Sequence, residues 1–228
     1  MAIVKKYKSI VKEITSPTEG IFVVTFSSDK DYKFKAGQFL HLALDEYNPS
    51  LQWPDSRCFS IQSSPQVKDI KITFSVKGNF TRKMAEELVP GKEVTLKLPY
   101  GSLFANVDNL KKYVFIAGGT GVTPFLSMFT DASFANFKSP KLYLGLRQPS
   151  YNIYQEELKI SREINKTFLV NLIYQESDGI LNIEKILKEN GVDSNYYISG
   201  PPAMITAFKS YLLESKVKEI NIFTDDWE

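Results

Sequence analysis

Residues 113–128, YVFIAGGTGVTPFLSM, narrow the possible fold more than any other stretch of the chain. An apolar run of β-branched and aromatic residues (Tyr113, Val114, Phe115, Ile116) meets glycine at 118, 119 and 121, and a second apolar run follows over 125–129. That order reads as strand, tight turn and helix. Glycine at such a junction removes the Cβ where a ligand would approach the backbone. The unpaired N–H groups that open the helix suit a phosphate, and the helix dipole adds about 0.3 to 1 kcal/mol per charge. Pro124 takes the place of the third glycine of a G-x-G-x-x-G fingerprint. On its own the segment is therefore either a nucleotide loop or a structural turn that needs glycine only for its dihedrals.

The residues around it supply context. From Lys112 onward, strand patterns at 112–117, 141–144, 167–173, 196–199 and 220–223 alternate with helical patterns that include 125–129, 154–164, 183–188 and 203–213. Five strands alternating with four helices, at roughly 25 to 30 residues per unit, predict a doubly wound five-stranded parallel sheet. Ligands of such sheets bind beyond the carboxyl ends of the strands. Three features fall there: the glycine turn after Ala117, Arg147 after the second strand, and Ser199-Gly200-Pro201-Pro202 after the fourth. Their convergence favours the nucleotide reading.

The first half has a different rhythm. Strand-like runs at 21–26, 38–44, 57–62, 70–76 and 93–98 are punctuated by turn signals at Ser16-Pro17, Gly37, Asn48-Pro49, Ser64-Pro65 and Pro90-Gly91, with one helical pattern over 81–88. This predicts a small antiparallel β-barrel and two domains, 1–109 and 110–228. In Arg57-Cys58-Phe59-Ser60, alternation puts Arg57 and Phe59 on one face and Cys58 and Ser60 on the other; taken alone, an ordinary barrel strand with a surface arginine is the favoured reading. In VKGNFTRKM (76–84), the strand is expected to end at Lys77, Gly78 and Asn79 to turn, and Thr81 to cap the helix. This is a second helix start reached through glycine, and either a second phosphate site or a plain turn.

Composition removes whole classes of function. A net charge of +2, from 28 basic and 26 acidic residues, and the lack of a basic stripe interleaved with aromatics argue against a nucleic-acid surface. One cysteine, Cys58, and one histidine, His41, cannot build an intrachain disulfide, a cysteine-ligated iron–sulfur cluster or a His/Cys zinc site. No metal site is expected, and redox chemistry would need an organic cofactor. No apolar run reaches the roughly 18 residues of a membrane span, so a soluble, cytoplasmic protein is expected.

Taken together, R-x-aromatic-S in a barrel, a glycine turn with threonine, G-x-G-x-x-P and G-P-P-x-M in this order make the chain resemble the ferredoxin-NADP reductase family over nearly its whole length. The resemblance implies a Greek-key barrel that holds FAD, followed by an NAD(P)-binding domain. It implies that Arg57 pairs with the FAD pyrophosphate, Phe59 packs along the flavin beside Cys58, and Ser60 reaches the reactive N5 edge. Val76 and Lys77 would line the cofactor, while Gly78, Asn79, Phe80 and Thr81 match the phosphate turn. Gly118, Gly119, Thr120, Gly121, Thr123 and Pro124 match the nicotinamide-cofactor loop. Ser199, Gly200, Pro201, Pro202 and Met204 match the C-G-P-P-x-M segment, and Asp225 and Trp227 the ending in which an aromatic covers the flavin. Ser60, Ser199 and Trp227 would then be the catalytic residues.

Phe59 departs from the family's tyrosine and loses one polar contact, typically worth about 0.5 to 1.5 kcal/mol. Ser199 replaces the usual cysteine beside the nicotinamide. The implied activity is hydride transfer from NAD(P)H to FAD, then electron transfer to a partner such as ferredoxin. The alternatives are an NAD(P)H-dependent free-flavin reductase and an electron-transfer subunit of a larger complex. Arg147, with no acidic companion in Gln148-Pro149-Ser150, leans towards NADPH over NADH. His41 and Cys58 read as structural, and Lys5, Lys6, Lys8 and Lys12 as a solvated strand face rather than a steering patch.

Overall fold

The computed structural model describes residues 3–105 and 112–225. The chain divides into two compact units, Met1–Ser102 and Leu103–Glu228. The expected boundary at 109/110 falls on residues outside the described ones.

The first unit holds strands β1 (Lys5–Thr18), β2 (Ile21–Ser27), β3 (Phe39–Ala43), β4 (Ser56–Ser60), β5 (Ile70–Ser75) and β6 (Glu93–Tyr100), with helix α1 (Asn79–Glu87) between the last two strands. They form one antiparallel sheet in the order β4-β3-β6-β1-β2-β5. Within it β6-β1-β2-β5 is a Greek key, because β6 returns to lie beside β1. The two ends of the sheet are drawn together just past β4. There Gln62 N donates to Lys71 O at 2.8 Å, Lys71 N to Ser63 Oγ at 3.1 Å, and Thr73 Oγ1 to Gln62 Oε1 at 2.5 Å.

Period-two patterning fills the interior. In β1, Tyr7, Ser9 and Val11 are buried while the residues between them are exposed. They meet Val24, Phe26, Leu40, Leu42, Ile70, Ile72, Phe74, Leu96 and Leu98, and Met84 and Leu88 from the α1 segment complete the core. Each such large side chain contributes about 1.5 to 3 kcal/mol on burial.

On the outer side Lys6 lies directly across from Lys97 in the β1–β6 register. Neither forms an ion pair among the described residues. Lys6 Nζ sits 3.7 Å from the Tyr47 ring centroid and Lys97 Nζ 5.2 Å from that of Trp53. Lys8 and Lys12 do find carboxylates, at Glu93 (2.8 Å) and Asp69 (2.6 Å). The expected solvated face is therefore partly paired and partly stacked on rings.

Three local expectations are corrected. Ser16-Pro17 is not a turn: β1 continues to Thr18, and the chain reverses at Glu19-Gly20, where Gly20 has φ +70°. Pro17 is tolerated because the register is irregular between Thr15 and Thr18, where no ladder donor is required of it. The strand before α1 ends at Ser75, not Lys77, and the helix cap is Gly78, so Thr81 lies inside the first turn.

The second unit has β7 (Tyr113–Gly118), β8 (Lys141–Leu146), β9 (Leu169–Tyr174), β10 (Asn195–Ser199) and β11 (Ile222–Thr224) in the order β11-β10-β7-β8-β9, every pair parallel. Its helices are α2 (Thr123–Phe129), α3 (Gln155–Ile164), α4 (Gln175–Asp178), α5 (Ile183–Asn190) and α6 (Pro202–Glu214). The single-turn α4 was not expected. A 3₁₀ turn, Gly119–Val122, joins β7 to α2. β7 and β10 are buried almost throughout, which is why both read as unbroken apolar runs, whereas the edge strand β9 is half exposed. One side of β7 carries packed aromatics, with Phe115 4.8 Å from Phe129 and 5.3 Å from Phe125, centroid to centroid. Strand order reverses between β7 and β10, so a crevice at their carboxyl ends is dictated by topology.

Candidate functional site

In the first unit Arg57, Lys77, Gly78, Asn79, Phe80 and Thr81 line one open cavity of ≈ 410 Å³. Two elements make it. β4 delivers Arg57, whose side chain stays 54% exposed and whose Cζ lies 4.9 Å from the Phe80 ring centroid. The turn into α1 delivers the rest. Thr81 Oγ1 is the hub of that turn: it accepts from Lys77 N (2.9 Å) and Gly78 N (3.1 Å) and donates to Gly78 O (3.1 Å). A hydroxyl in the first turn thus reaches back to hold the loop. The N–H groups of Asn79 and Phe80 belong to the first turn, which has no intrahelical acceptor for them and contains no acidic residue. A Cβ at position 78 would meet nothing within 4 Å, so the space beside Gly78 is open rather than filled by protein. Guanidinium, ammonium and helix-start N–H groups around open space are the donor set of an anion site, and they fit the pyrophosphate of a dinucleotide.

The other barrel residues named from the sequence occupy inner positions. Phe59 is buried in the core with its ring 6.1 Å from that of Phe74, and Ser60 is buried beside it. Val76 packs against the same core and its N–H donates to Gly20 O at 2.9 Å. Cys58 is half-buried directly across from His41, with Sγ 3.5 Å from Nε2. Burial pushes the Cys58 thiol up; burial, then the nearby Lys97 charge, pulls His41 down. Both shifts favour the neutral forms, so the contact is not a thiolate–imidazolium pair, in keeping with a structural role.

In the second unit the two predicted loops meet at the crevice. Ser199 pairs with Ala117 in the β10–β7 register, so the turns that follow them are neighbours. Their approach depends on glycine. A Cβ on Gly121 would lie 2.5 Å from Gly200 Cα and 2.6 Å from both Gly200 N and Ser199 O. One on Gly118 would lie 2.9 Å from Pro201 Cδ and 3.0 Å from Met204 Sδ. Gly119, at φ +56°, faces open space. Thr123 is buried and its Oγ1 donates to Thr120 O at 3.0 Å, fixing the 3₁₀ turn, while Pro124 and Pro202 occupy first-turn helix positions that need no donor. Gly118, Gly121, Ser199, Gly200, Pro201 and Met204 thus form one constellation. Ser199 Oγ donates to Asp225 Oδ2 at 3.1 Å, which ties it to the segment after β11. Open space at Gly119 beside a glycine-lined crevice fits a second dinucleotide. Trp227 lies outside the described residues.

Arg147 follows β8, its Cζ 5.6 Å from the Tyr151 ring centroid, and makes no ion pair among the described residues. Here the sequence reading was incomplete. The adjacent strand's end also reaches Arg147: Glu176 N donates to Arg147 O at 3.2 Å at the start of α4, a contact between main chains. The register that pairs Leu146 with Tyr174 makes that placement, and no local pattern announces it. Asp55 was also missed; it bonds Arg57 Nη1 through Oδ1 at 2.5 Å. Among the described residues no three His, Cys, Asp or Glu side chains gather as a metal site, and no helix is long and apolar enough to cross a membrane.

Comparison with known proteins agrees with both halves. The family described as "FAD-binding domain" matches residues 6–142, and "Oxidoreductase NAD-binding domain" matches 115–210. The reductase component of propane 2-monooxygenase from Gordonia sp. (strain TY-5) is 27% identical over 210 residues, covering 85% of this chain and 59% of its own length. The phenol hydroxylase P5 protein of Acinetobacter pittii (strain PHEA-2) is 25% identical over 238 residues, covering 98% of this chain and 66% of its own. The chain thus spans under two thirds of the length of these relatives. Among solved structures, the ferredoxin reductase in carbazole 1,9a-dioxygenase superposes with a TM-score of 0.79 at 22% identity, over 99% of this chain and 70% of that one. A ferredoxin NADP+ reductase from Neisseria gonorrhoeae with bound FAD and NADP gives 0.75 at 19% identity, over 99% of each. The match over more than half of its length places this chain in the FAD-binding-domain family, with a fold shared by solved ferredoxin reductases.

Proposed function

We propose that the chain is a flavoprotein oxidoreductase of the cytoplasm that takes a hydride from NAD(P)H onto bound FAD and passes electrons to a separate acceptor, such as a ferredoxin or an oxygenase component. The observation that carries this reading is the presence in one chain of both an anion cradle around Arg57 and a glycine-lined crevice at the switch point of a parallel sheet. FAD supplies the hydride-accepting chemistry when bound; the protein's part is to bind, orient and shield. Arg57, Lys77 and the Gly78–Thr81 turn hold the FAD pyrophosphate. Phe59 packs by the ring and Ser60 lies at its N5 edge, with Cys58 and Val76 as supports. The 118–124 turn takes the pyrophosphate of the nicotinamide dinucleotide. Gly200, Pro201, Pro202 and Met204 shape the nicotinamide pocket.

Ser199 receives a sharper role. Its hydroxyl proton already points to Asp225, so its oxygen is left to accept a hydrogen bond from the nicotinamide carboxamide. No acid or base is required at this step, since hydride transfer depends on holding the donor carbon of the nicotinamide in reach of the flavin N5.

The test is the visible spectrum of the purified chain, reconstituted with FAD and titrated anaerobically with NADPH and NADH. Flavin absorbance that co-elutes with protein and bleaches with a nicotinamide donor is the expected result. A chain that takes up no flavin overturns the reading. The free-flavin reductase alternative draws support from the exposure of Arg57 and from Phe59, both of which weaken retention. Flavin lost on gel filtration, with NAD(P)H-dependent turnover of added flavin retained, selects it.

We assign NADPH as the preferred donor because the Arg147 guanidinium has no carboxylate partner among the described residues and follows the second strand of the sheet, the place at which such folds discriminate the 2′-phosphate. Arg147→Ala is expected to lower the NADPH/NADH ratio of kcat/KM by roughly tenfold or more, the loss of one charge-assisted contact. An unchanged ratio removes Arg147 from the role.

A further inference from the structure

Arg57 is the residue on which the anion cradle turns, yet half of its side chain is in water, and a free arginine there would sample many rotamers. Three contacts restrain it. Nη1 donates to Asp55 Oδ1 at 2.5 Å and to Ser56 O at 2.8 Å, and the guanidinium plane is drawn over Phe80, with Cζ 4.9 Å from the ring centroid. Both hydrogen bonds fall on the same nitrogen. Nε and Nη2 carry no hydrogen bond among the described residues, and they are the edge a guanidinium uses for a forked grip on a phosphate. Asp55 itself does not line the cavity, whereas Arg57 and Phe80 do.

We infer that Asp55 is a positioning residue for FAD: it acts through Arg57, fixing one nitrogen so that the other two face the cavity before the cofactor arrives. This rests on the assignment of the cradle to the FAD pyrophosphate. The rival role for a carboxylate in that place is competition, in which Asp55 occupies Arg57 until a phosphate displaces it. Geometry favours positioning, because a competitor would take the forked edge and Asp55 takes one nitrogen only. The expected effect is small in size and specific in pattern. Exposed ion pairs with 54% and 71% side-chain exposure contribute little, which corresponds to about a three- to fivefold change in affinity.

The test is titration of the apoprotein with FAD and, separately, with riboflavin, followed by flavin fluorescence, in wild type, Asp55→Ala, Asp55→Asn, Arg57→Ala and the Arg57→Ala/Asp55→Ala double variant. Asp55→Ala is expected to weaken FAD about three- to fivefold and leave riboflavin, which has no phosphate, unchanged. Asp55→Asn, whose amide oxygen accepts the same hydrogen bond, restores affinity to within about twofold of wild type. In the Arg57→Ala background the Asp55 change has no further effect, since a residue that acts through another is silent without it. Unchanged or tighter FAD binding in Asp55→Ala, or an additive double variant, overturns the inference. Failure of the wild type to bind FAD is a separate outcome: it overturns the pyrophosphate assignment, and Asp55 falls with it.

Discussion

Gly121→Ala is expected to damage the second unit more than any other single-methyl change in the two loops. The added Cβ would stand 2.5 to 2.6 Å from Gly200 Cα, Gly200 N and Ser199 O, all of them backbone atoms that no rotamer change can move aside. The turn after β7 and the turn after β10 would have to part, although their parent strands are held in register through Ser199 and Ala117. Overpacking of this kind costs about 1 to 3 kcal/mol. For a chain of this size that is a fall of several degrees in Tm, at roughly 2 to 4 °C per kcal/mol. Under the proposed function the same displacement opens the crevice and abolishes reduction by NAD(P)H, while FAD binding, which belongs to the first unit, persists. Thermal melts and anaerobic flavin reduction measure the two effects. An alanine variant with wild-type Tm and wild-type reduction would show that the loops do not need this close approach.

Arg57→Ala is expected to do the reverse, sparing the fold and removing the cofactor. The side chain is 54% exposed, and surface changes of this sort stay within about 0.5 kcal/mol of wild-type stability. A hydrogen bond to a charged partner contributes about 1.5 to 3 kcal/mol, so FAD affinity falls roughly 10- to 150-fold. Riboflavin sets the reference, since it lacks the phosphates that Arg57 is assigned to hold. An equal loss for both ligands would place Arg57 at the ring instead of the pyrophosphate, and no loss for either would take it out of the site.

Much of this architecture could be read from residue patterns, and the misses have physical causes. The parallel sheet was legible because β7 and β10 are buried on both faces and therefore apolar without interruption, and because a glycine turn marks the reversal of strand order. The barrel strands were legible wherever one face meets the core. β1 was blurred because Ser16-Pro17 has turn chemistry; only the register shift near Thr18 explains why a proline sits there without ending the strand. Thr81 looks like a helix cap from its type and place, but its hydroxyl works from the third helical position, closing the turn on Lys77 and Gly78. Candidate site residues within one segment could be named together, since Gly78 to Thr81 and Gly118 to Pro124 are contiguous. Contacts made by strand pairing did not: His41 with Cys58 and Glu176 with Arg147 follow from register, which no short pattern encodes.

The long first strand also sets an order of events during synthesis. Its second half pairs with β2, a neighbour only a few residues downstream, while its first half pairs with β6, Lys5 lying opposite Leu98. The amino-terminal edge must therefore wait, unpaired, until almost the whole of the first unit has emerged. Pairings of such long sequence separation form slowly, and an exposed strand edge invites association with other chains in the interval. Lys5, Lys6 and Lys8 put positive charge on the half that waits, a built-in deterrent to pairing with a second nascent copy.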